Sequence, residues 1–320
     1  MIIRYLLLSI SIACWWPSRA QQADSVLLRA DPIIAELDSI LNSPDSTAFL
    51  ALMDSLFTKG GIKDQSQLAL RLGYNSNIAS TSRTLQIGQF GLSPGVSYFH
   101  KSGAYADLSA YWSREFSPAY YLTVASAGYL GFFGKRYTLM AEYSHFFYKQ
   151  NNDSLSFTPY TNSIGISNFW DVKPVLFRFD YVFFFGAQSA HRLTPSIGLN
   201  LVKRNWGRIK RLACMPTYGL MMGSETIITY EFYADWRQRS FANQIREQLN
   251  RPLLPLFYEV RTRAFGVMNH AFSIPVSISV GPWSFLLNYS YNIPRALPGE
   301  TLTLSNAGFL ALNITRYINL

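Results

Sequence analysis

"FSIPVSISVGPWSFLLNYSYNIP", Phe272 to Pro294, is the stretch whose reading decides the fold. Phe272, Ile274, Val276, Ile278 and Val280 alternate with Ser273, Pro275, Ser277 and Ser279. After Gly281-Pro282, the residues Trp283, Phe285, Leu287, Tyr289 and Tyr291 fall on one face, and Ser284, Asn288 and Ser290 on the other. A period of two is that of a β-strand, and Gly-Pro between two such runs marks a tight turn. One side of the hairpin is continuously apolar with aromatics toward its ends, while the other is small and polar. That pattern belongs to strands that meet lipid on one side and a polar interior on the other.

The pattern recurs along the chain. Leu68, Leu70, Leu72 and Tyr74 alternate with Gln67, Arg71 and Asn75, and Ala104, Ala106, Leu108, Ala110 and Trp112 with Asp107, Ser109 and Ser113. Tyr137, Leu139, Ala141 and Tyr143 alternate with Thr138, Glu142 and Ser144; Val175, Phe177, Phe179, Tyr181, Phe183 and Phe185 with Arg178 and Asp180. Leu193, Ile197, Leu199 and Leu201 alternate with Thr194, Ser196 and Asn200. Soluble sandwiches also alternate, but here charges recur on the polar face while the opposite face stays apolar. The expected fold is all-β, a transmembrane antiparallel β-barrel of about 12 strands. Arg71, Asp107, Glu142, Arg178, Asp180 and Glu225 take interior parity and are the candidate lumen-lining charges. Such charges are costly unless hydrated or paired, so they report a polar interior.

Composition agrees. Hydrophobic residues make up 49% of the 320 and charged residues only 15%, against roughly 25% in soluble domains. Beyond the N-terminus no apolar run approaches the ~20 residues of a membrane helix, so a membrane crossing would be made by strands.

The first 20 residues, "MIIRYLLLSISIACWWPSRA", read as a secretory signal peptide: Arg4, an apolar run, then small residues before a cleavage point. Residues 21–62 carry helical rather than strand periodicity. Asp31 and Pro32 form a helix start, followed by Ile33, Ile34, Leu37, Ile40 and Leu41. Ser43-Pro44 repeats the device ahead of Phe49, Leu52, Met53 and Leu56. These predict a short α-helical N-terminal lead, joined by "TKGGIKD" to a barrel over residues 63–320. Cleavage after Ala20 leaves Cys214 alone, so no internal disulfide is expected.

The signal peptide, "DPIIAELDSILN" and the barrel opening "GVSYFHKSGAYADLSAYW" together resemble the Bacteroidota outer-membrane β-barrel proteins. The end of the chain, "GFLALNITRYINL", is similar to the terminal strands that such barrels present to the barrel-assembly machinery. It departs in ending on Leu320 and in carrying Arg316 on the apolar face, a charge tolerable near the membrane interface. The resemblance implies location in the cell outer membrane and contact with its lipids and lipopolysaccharide. Short connections alternate with longer ones, which places the lead and both termini in the periplasm and residues 233–263 outside as the one long loop. A short helix is expected over 241–249. Arg237, Arg239, Arg246, Arg251, Arg261 and Arg263 make this segment basic and suit it to surface-lipid phosphates.

His100 and Ser102 share a strand face, the spacing of a hydroxyl nucleophile and its base. "HKSG" resembles in part the His-x-Ser-Asn-Gly motif of outer-membrane phospholipase. The Asn is missing, and a turn accounts for Lys101, Ser102 and Gly103. His145, His191 and His270 lack metal-ligand spacing. No cofactor is expected. The net charge of +9 resides in connections rather than in a stripe with stacking aromatics, against nucleic-acid binding. The expected function is a narrow small-solute channel. The alternative is a structural or scaffolding barrel serving a periplasmic or membrane protein partner. A lipid hydrolase comes third.

Overall fold

The computed structural model describes residues 66–76, 91–113, 119–134, 136–149, 160–232, 236–254, 257–300 and 304–320. The expected signal peptide over 1–20 and the helical lead over 21–62 lie outside these described residues. In chain order the elements are β1 (Gln67–Asn75), β2 (Gly91–Phe99), β3 (Ala104–Ser113), β4 (Tyr120–Phe133) and β5 (Tyr137–Tyr148). Then come β6 (Asn162–Val172), β7 (Val175–Phe185), β8 (Ser189–Leu199), β9 (Leu201–Trp206) and β10 (Ile209–Cys214). The chain ends with β11 (Thr217–Phe232), α1 (Trp236–Gln248), β12 (Phe257–Val280), β13 (Trp283–Pro294) and β14 (Ala307–Asn319).

Neighbours pair antiparallel from β1 through β8, then β8 with β11, β11 with β12, and on through β13 to β14. β14 returns to β1, with Gln67 opposite Asn319 and Asn75 opposite Ala311, and the sheet is closed. Fourteen segments make a wall of twelve strands, because two pairs of segments are continuous arms. Gly198 faces Thr217, and three residues further along each arm Leu201 faces Cys214. The register against β12 is kept as well, Thr217 facing Ser273 and Cys214 facing Val276. Pro216 interrupts the second arm because it has no N–H to give to the ladder. The segment "KRNWGRIK", Lys203 to Lys210, is thus the tip of one long hairpin. The hairpin overhangs the wall: the Asn200 N–H bonds Pro174 O at 2.7 Å, and from Leu201 to Trp206 β9 pairs with β10 alone and is exposed throughout.

Residues 100–103, 134–136, 173–174, 207–208 and 281–282 turn the chain at one end, which also holds the start of β1 and the end of β14. The strand ends at the opposite side are those joined in sequence by the longer connections, 76–90, 149–161, 233–256 and 295–306, and by the short 114–119 and 186–188. This is the alternation the sequence predicts. One boundary is corrected. β12 begins at Phe257, so Arg261 and Arg263 are strand residues opposite Ile228 and Thr226, not part of the loop. A charged run does not end a strand whose backbone still has a partner, and beyond an apolar belt the side chains meet water. The helix also starts earlier than expected, at Trp236.

The outward face is apolar. Leu70, Leu108, Ile166, Phe177, Ile274 and Leu287 are exposed, a placement that water would penalise. Aromatic groups gather toward both ends of this face. Tyr137 contacts Trp170 with ring centroids 5.4 Å apart at the turn end, and Trp112 contacts Tyr120 at 5.1 Å at the loop end. Arg316, the charge that interrupts the apolar face of β14, lies 5.5 Å over the Trp283 ring beside the turn at 281–282.

Gly103 has φ +96°, and a Cβ there would lie 2.4 Å from Leu130 O. That oxygen belongs to the residue whose N–H bonds Gly103 O at 2.9 Å. Gly134 has φ +69° with nothing within 4 Å. Gly134→Ala is therefore expected to cost only the backbone strain, about 1 kcal/mol. Gly103→Val adds a clash with fixed backbone, so its urea unfolding midpoint in detergent should fall further, and less of the protein should run as the compact, heat-modifiable form. Equal midpoints for the two variants would contradict this assignment.

Candidate functional site

The inner face is where this chain keeps its chemistry, and strand parity delivers it there. Arg71, Asp107, Glu142, Arg178, Asp180 and Glu225 stand on the strand face opposite the exposed apolar one, in separate groups. On β1–β3 the Arg71 guanidinium pairs with Asp107, and its Nη2 also donates to Ser109 Oγ at 3.0 Å. Ser97 Oγ donates to Asp107 Oδ1 at 2.5 Å and Ser109 Oγ to Oδ2 at 2.9 Å, so both carboxylate oxygens are held. On β7, Arg178 Nε donates to Asp180 Oδ1 at 2.8 Å, and the guanidinium lies 5.4 Å over Phe169. Glu225 pairs with Arg192 and accepts from Tyr160 OH at 2.9 Å.

Glu142 has a different arrangement. Tyr105 on β3, Gly128 on β4 and Glu142 on β5 stand directly opposite one another. A Cβ on Gly128 would lie 2.6 Å from the Tyr105 ring. Its absence lets the ring cross β4 and donate to Glu142 Oε2 at 2.5 Å. Ser144 Oγ donates to the other oxygen at 3.1 Å and is itself 2.8 Å from Ser126 Oγ. The carboxyl is thus held by two hydroxyls.

Apolar clusters flank these groups. Phe99, Tyr105, Leu130, Met140 and Phe169 pack inside the turn end, and Leu122, Phe146, Tyr160 and Phe184 inside the loop end. The sector formed by β10, β12, β13 and β14 is unlike either. Ser277, Ser284, Asn288, Asn292, Asn313 and Thr315 line it, small and uncharged, and all are buried. Sequence reasoning missed Arg192, Tyr105 and Gly128. Arg192 has the parity of Thr194 and Ser196 and was within reach of an alternation read two residues further; the other two emerge only once strand register is known.

The six basic residues of the long connection do not form one surface. Arg246 Nε donates to Pro252 O at 2.7 Å and Arg239 Nη2 to Leu254 O at 3.4 Å, so these two fold the loop back on its helix. Asn243 Oδ1 adds a bond from Leu254 N at 2.7 Å. Arg237 and Arg251 are exposed at the two ends of the helical segment. Arg261 lies on β12, and Arg263 donates to Ser224 Oγ at 3.3 Å.

His100 Nδ1 lies 2.7 Å from Ser102 Oγ, and the same nitrogen accepts the Ser102 N–H at 3.2 Å. Both contacts close an exposed four-residue turn. No carboxylate among the described residues is hydrogen-bonded to the His100 ring, so nothing there orients it as a base. The remaining histidines bond neighbours on the outer face: His145 to Asn162 at 2.7 Å, His191 to Tyr181 at 2.8 Å and His270 to Tyr218 at 2.8 Å. No group of three or more His, Cys, Asp or Glu among the described residues is placed to hold a metal.

No protein-family model matches the chain, and no curated protein does. Among solved structures it is similar to the KdgM porin at 10% identity and TM-score 0.41, over 78% of this chain and 98% of that one. It is similar to the NanC porin at 14% identity and TM-score 0.37, over 79% and 99%. OprD of Pseudomonas aeruginosa is similar at 9% identity and TM-score 0.30, over 80% and 95%. The class of this protein, a closed antiparallel barrel of twelve strands, is defined by its own strand pairing.

Replacing Arg192 by Met leaves the Glu225 carboxylate buried beside Tyr160 with its cation gone. The expected loss of stability to urea is roughly 3 kcal/mol. The double replacement Arg192→Met/Glu225→Leu should recover much of that loss, because no unpaired charge remains. A double variant as unstable as the sum of the singles would show that the pair is not coupled.

Proposed function

We propose that this protein is an outer-membrane β-barrel carrying a narrow path for small polar solutes. The observation that carries the reading is the inversion of the usual soluble pattern: large apolar side chains outward, paired charges and neutral polar side chains inward. An outward apolar belt with aromatic margins suits a bilayer, and the closed ladder leaves few backbone groups for lipid to strand. A barrel of eight strands is filled by its own side chains, whereas one of sixteen holds an open channel. Twelve strands stand between these limits. The Ser/Asn sector gives the interior neutral hydroxyl and amide groups, and the Arg71–Asp107 and Arg178–Asp180 pairs act as the filter. The short-turn end with both barrel termini faces the periplasm, and the connection 233–256 faces outward, where Arg237 and Arg251 meet lipopolysaccharide phosphates.

Planar-bilayer recording of the folded, heat-modifiable protein tests the channel. Asp107→Asn leaves the Arg71 cation unbalanced and should shift the reversal potential toward anions; Arg71→Gln should shift it toward cations. No resolvable current from folded protein, or the same selectivity in both variants, would remove the channel reading in favour of a scaffolding barrel.

A further inference from the structure

On β12 the apolar outer face ends in two arginines. Ala264 and Met268 are buried on the inner side of this strand, whereas Phe265 and Val267 between them are exposed on the outer side. Alternation carries the outer side on to Arg263 and Arg261, both exposed. Two residues of strand rise about 7 Å, so the arginines stand one above the other in the column that Phe265 and Val267 begin. Past Gly223, β11 pairs with β12 alone. Its register with β8, Gly223 opposite Arg192, brings Ser189 at the start of β8 level with Thr226, the partner of Arg263. Arg263 thus stands at the rim of the wall, and Arg261 just beyond it on a projecting arm.

The foot of this arm is tied down around Arg263. Ser224 Oγ accepts the His191 N–H at 3.1 Å and a bond from Arg263 Nη2 at 3.3 Å. The His191 ring is bonded to Tyr181 OH at 2.8 Å and stacks on Phe183 at 4.8 Å, on the same outer face. Arg263 forms no ion pair with a carboxylate among the described residues, so guanidinium donors remain for another partner. The inner face differs, since Arg71, Arg178 and Arg192 each have their own acid. A cation without an acid, at the margin of an apolar belt, suits a ligand that is apolar beside the belt and anionic above it. A lipid has that form. Its acyl chains lie along Phe265 and Val267, the arginine stems follow the same surface, and the guanidinium fork matches two oxygens of a phosphate. A small anion would leave the apolar column unused, and a second copy would bring the same cations to the same place.

We propose that Arg261 and Arg263, beside the His191–Tyr181 pair, form a site on the outer wall of the barrel for the phosphorylated headgroup of an outer-leaflet lipid. This rests on the barrel lying in the outer membrane with its loop end outside, but its test needs no current. A barrel that binds the lipid and passes no current loses the channel reading alone; one that conducts without binding loses this site alone. Native mass spectrometry of the folded, heat-modifiable, full-length protein in a neutral detergent reads the lipid A it retains. Wild-type protein is expected to hold lipid A bearing its phosphates, and binding of the dephosphorylated form should be about tenfold weaker. Arg261→Gln/Arg263→Gln should weaken binding of the phosphorylated form by about the same factor. Lys203→Gln/Lys210→Gln, which removes equal charge at the opposite end of the barrel, should bind as wild type. Excess inorganic phosphate should not displace the lipid. Equal binding of the two forms of lipid A by wild-type protein would overturn the proposal whether or not the arginine variant folds. So would undiminished binding by that variant, an equal loss in the lysine variant, or displacement by inorganic phosphate, which would mark a site for small anions.

Discussion

Everything in this structure depends on the closure of one backbone ladder. With β14 bonded to β1, each strand of the wall has a partner on both sides, so the wall needs no other layer to satisfy its N–H and C=O groups. A sheet freed of that need can leave its outer face bare of protein. The hydrophobic side chains then go outward, and what remains for the inside is whatever parity leaves: serine, asparagine, tyrosine and the charged residues. The polar interior is thus a consequence of closure as much as a requirement of function.

Within the interior the cross-strand row matters more than the strand. Tyr105, Gly128 and Glu142 come from three strands, and the phenol reaches its carboxylate only because the middle residue has no side chain. The Arg71–Asp107 pair likewise bridges β1 and β3 over β2, where Ser97 and Gly95 keep the side chains short. Arg71 Nη2 would lie 3.0 Å from a Cβ on Gly95. Small residues on one strand thus set which large residues meet across it. The polar groups so joined add to the backbone bonds in setting the strands' relative height.

Much of this was legible in the alternation of single residue types. Phe272 to Pro294 gave the hairpin, and parity placed Arg71, Asp107, Glu142, Arg178, Asp180 and Glu225 inside. What escaped was whatever depends on two strands at once. Tyr105 looked like one more aromatic until Glu142 was known to stand two strands away, and Arg192 lay beyond the first residue of its strand used to set parity. Arg261 and Arg263 continue a basic run in the sequence, yet the pairing of β11 with β12 extends past them.

The overhanging hairpin carries a further consequence. β9 has β10 on one side and no strand on the other, so among the described residues it is the bare margin of an otherwise seamless sheet. Leu201, Val202 and Trp206 are exposed along it, the makings of strand-to-strand sticking between molecules crowded into one membrane. Lys203 and Arg204 sit in the middle of that margin, and Lys203 lies 4.8 Å over the Trp206 ring. A second copy bringing the same cations to the same edge would be repelled. The charge of these two residues therefore opposes edge-to-edge pairing, while the hairpin keeps its reach beyond the wall.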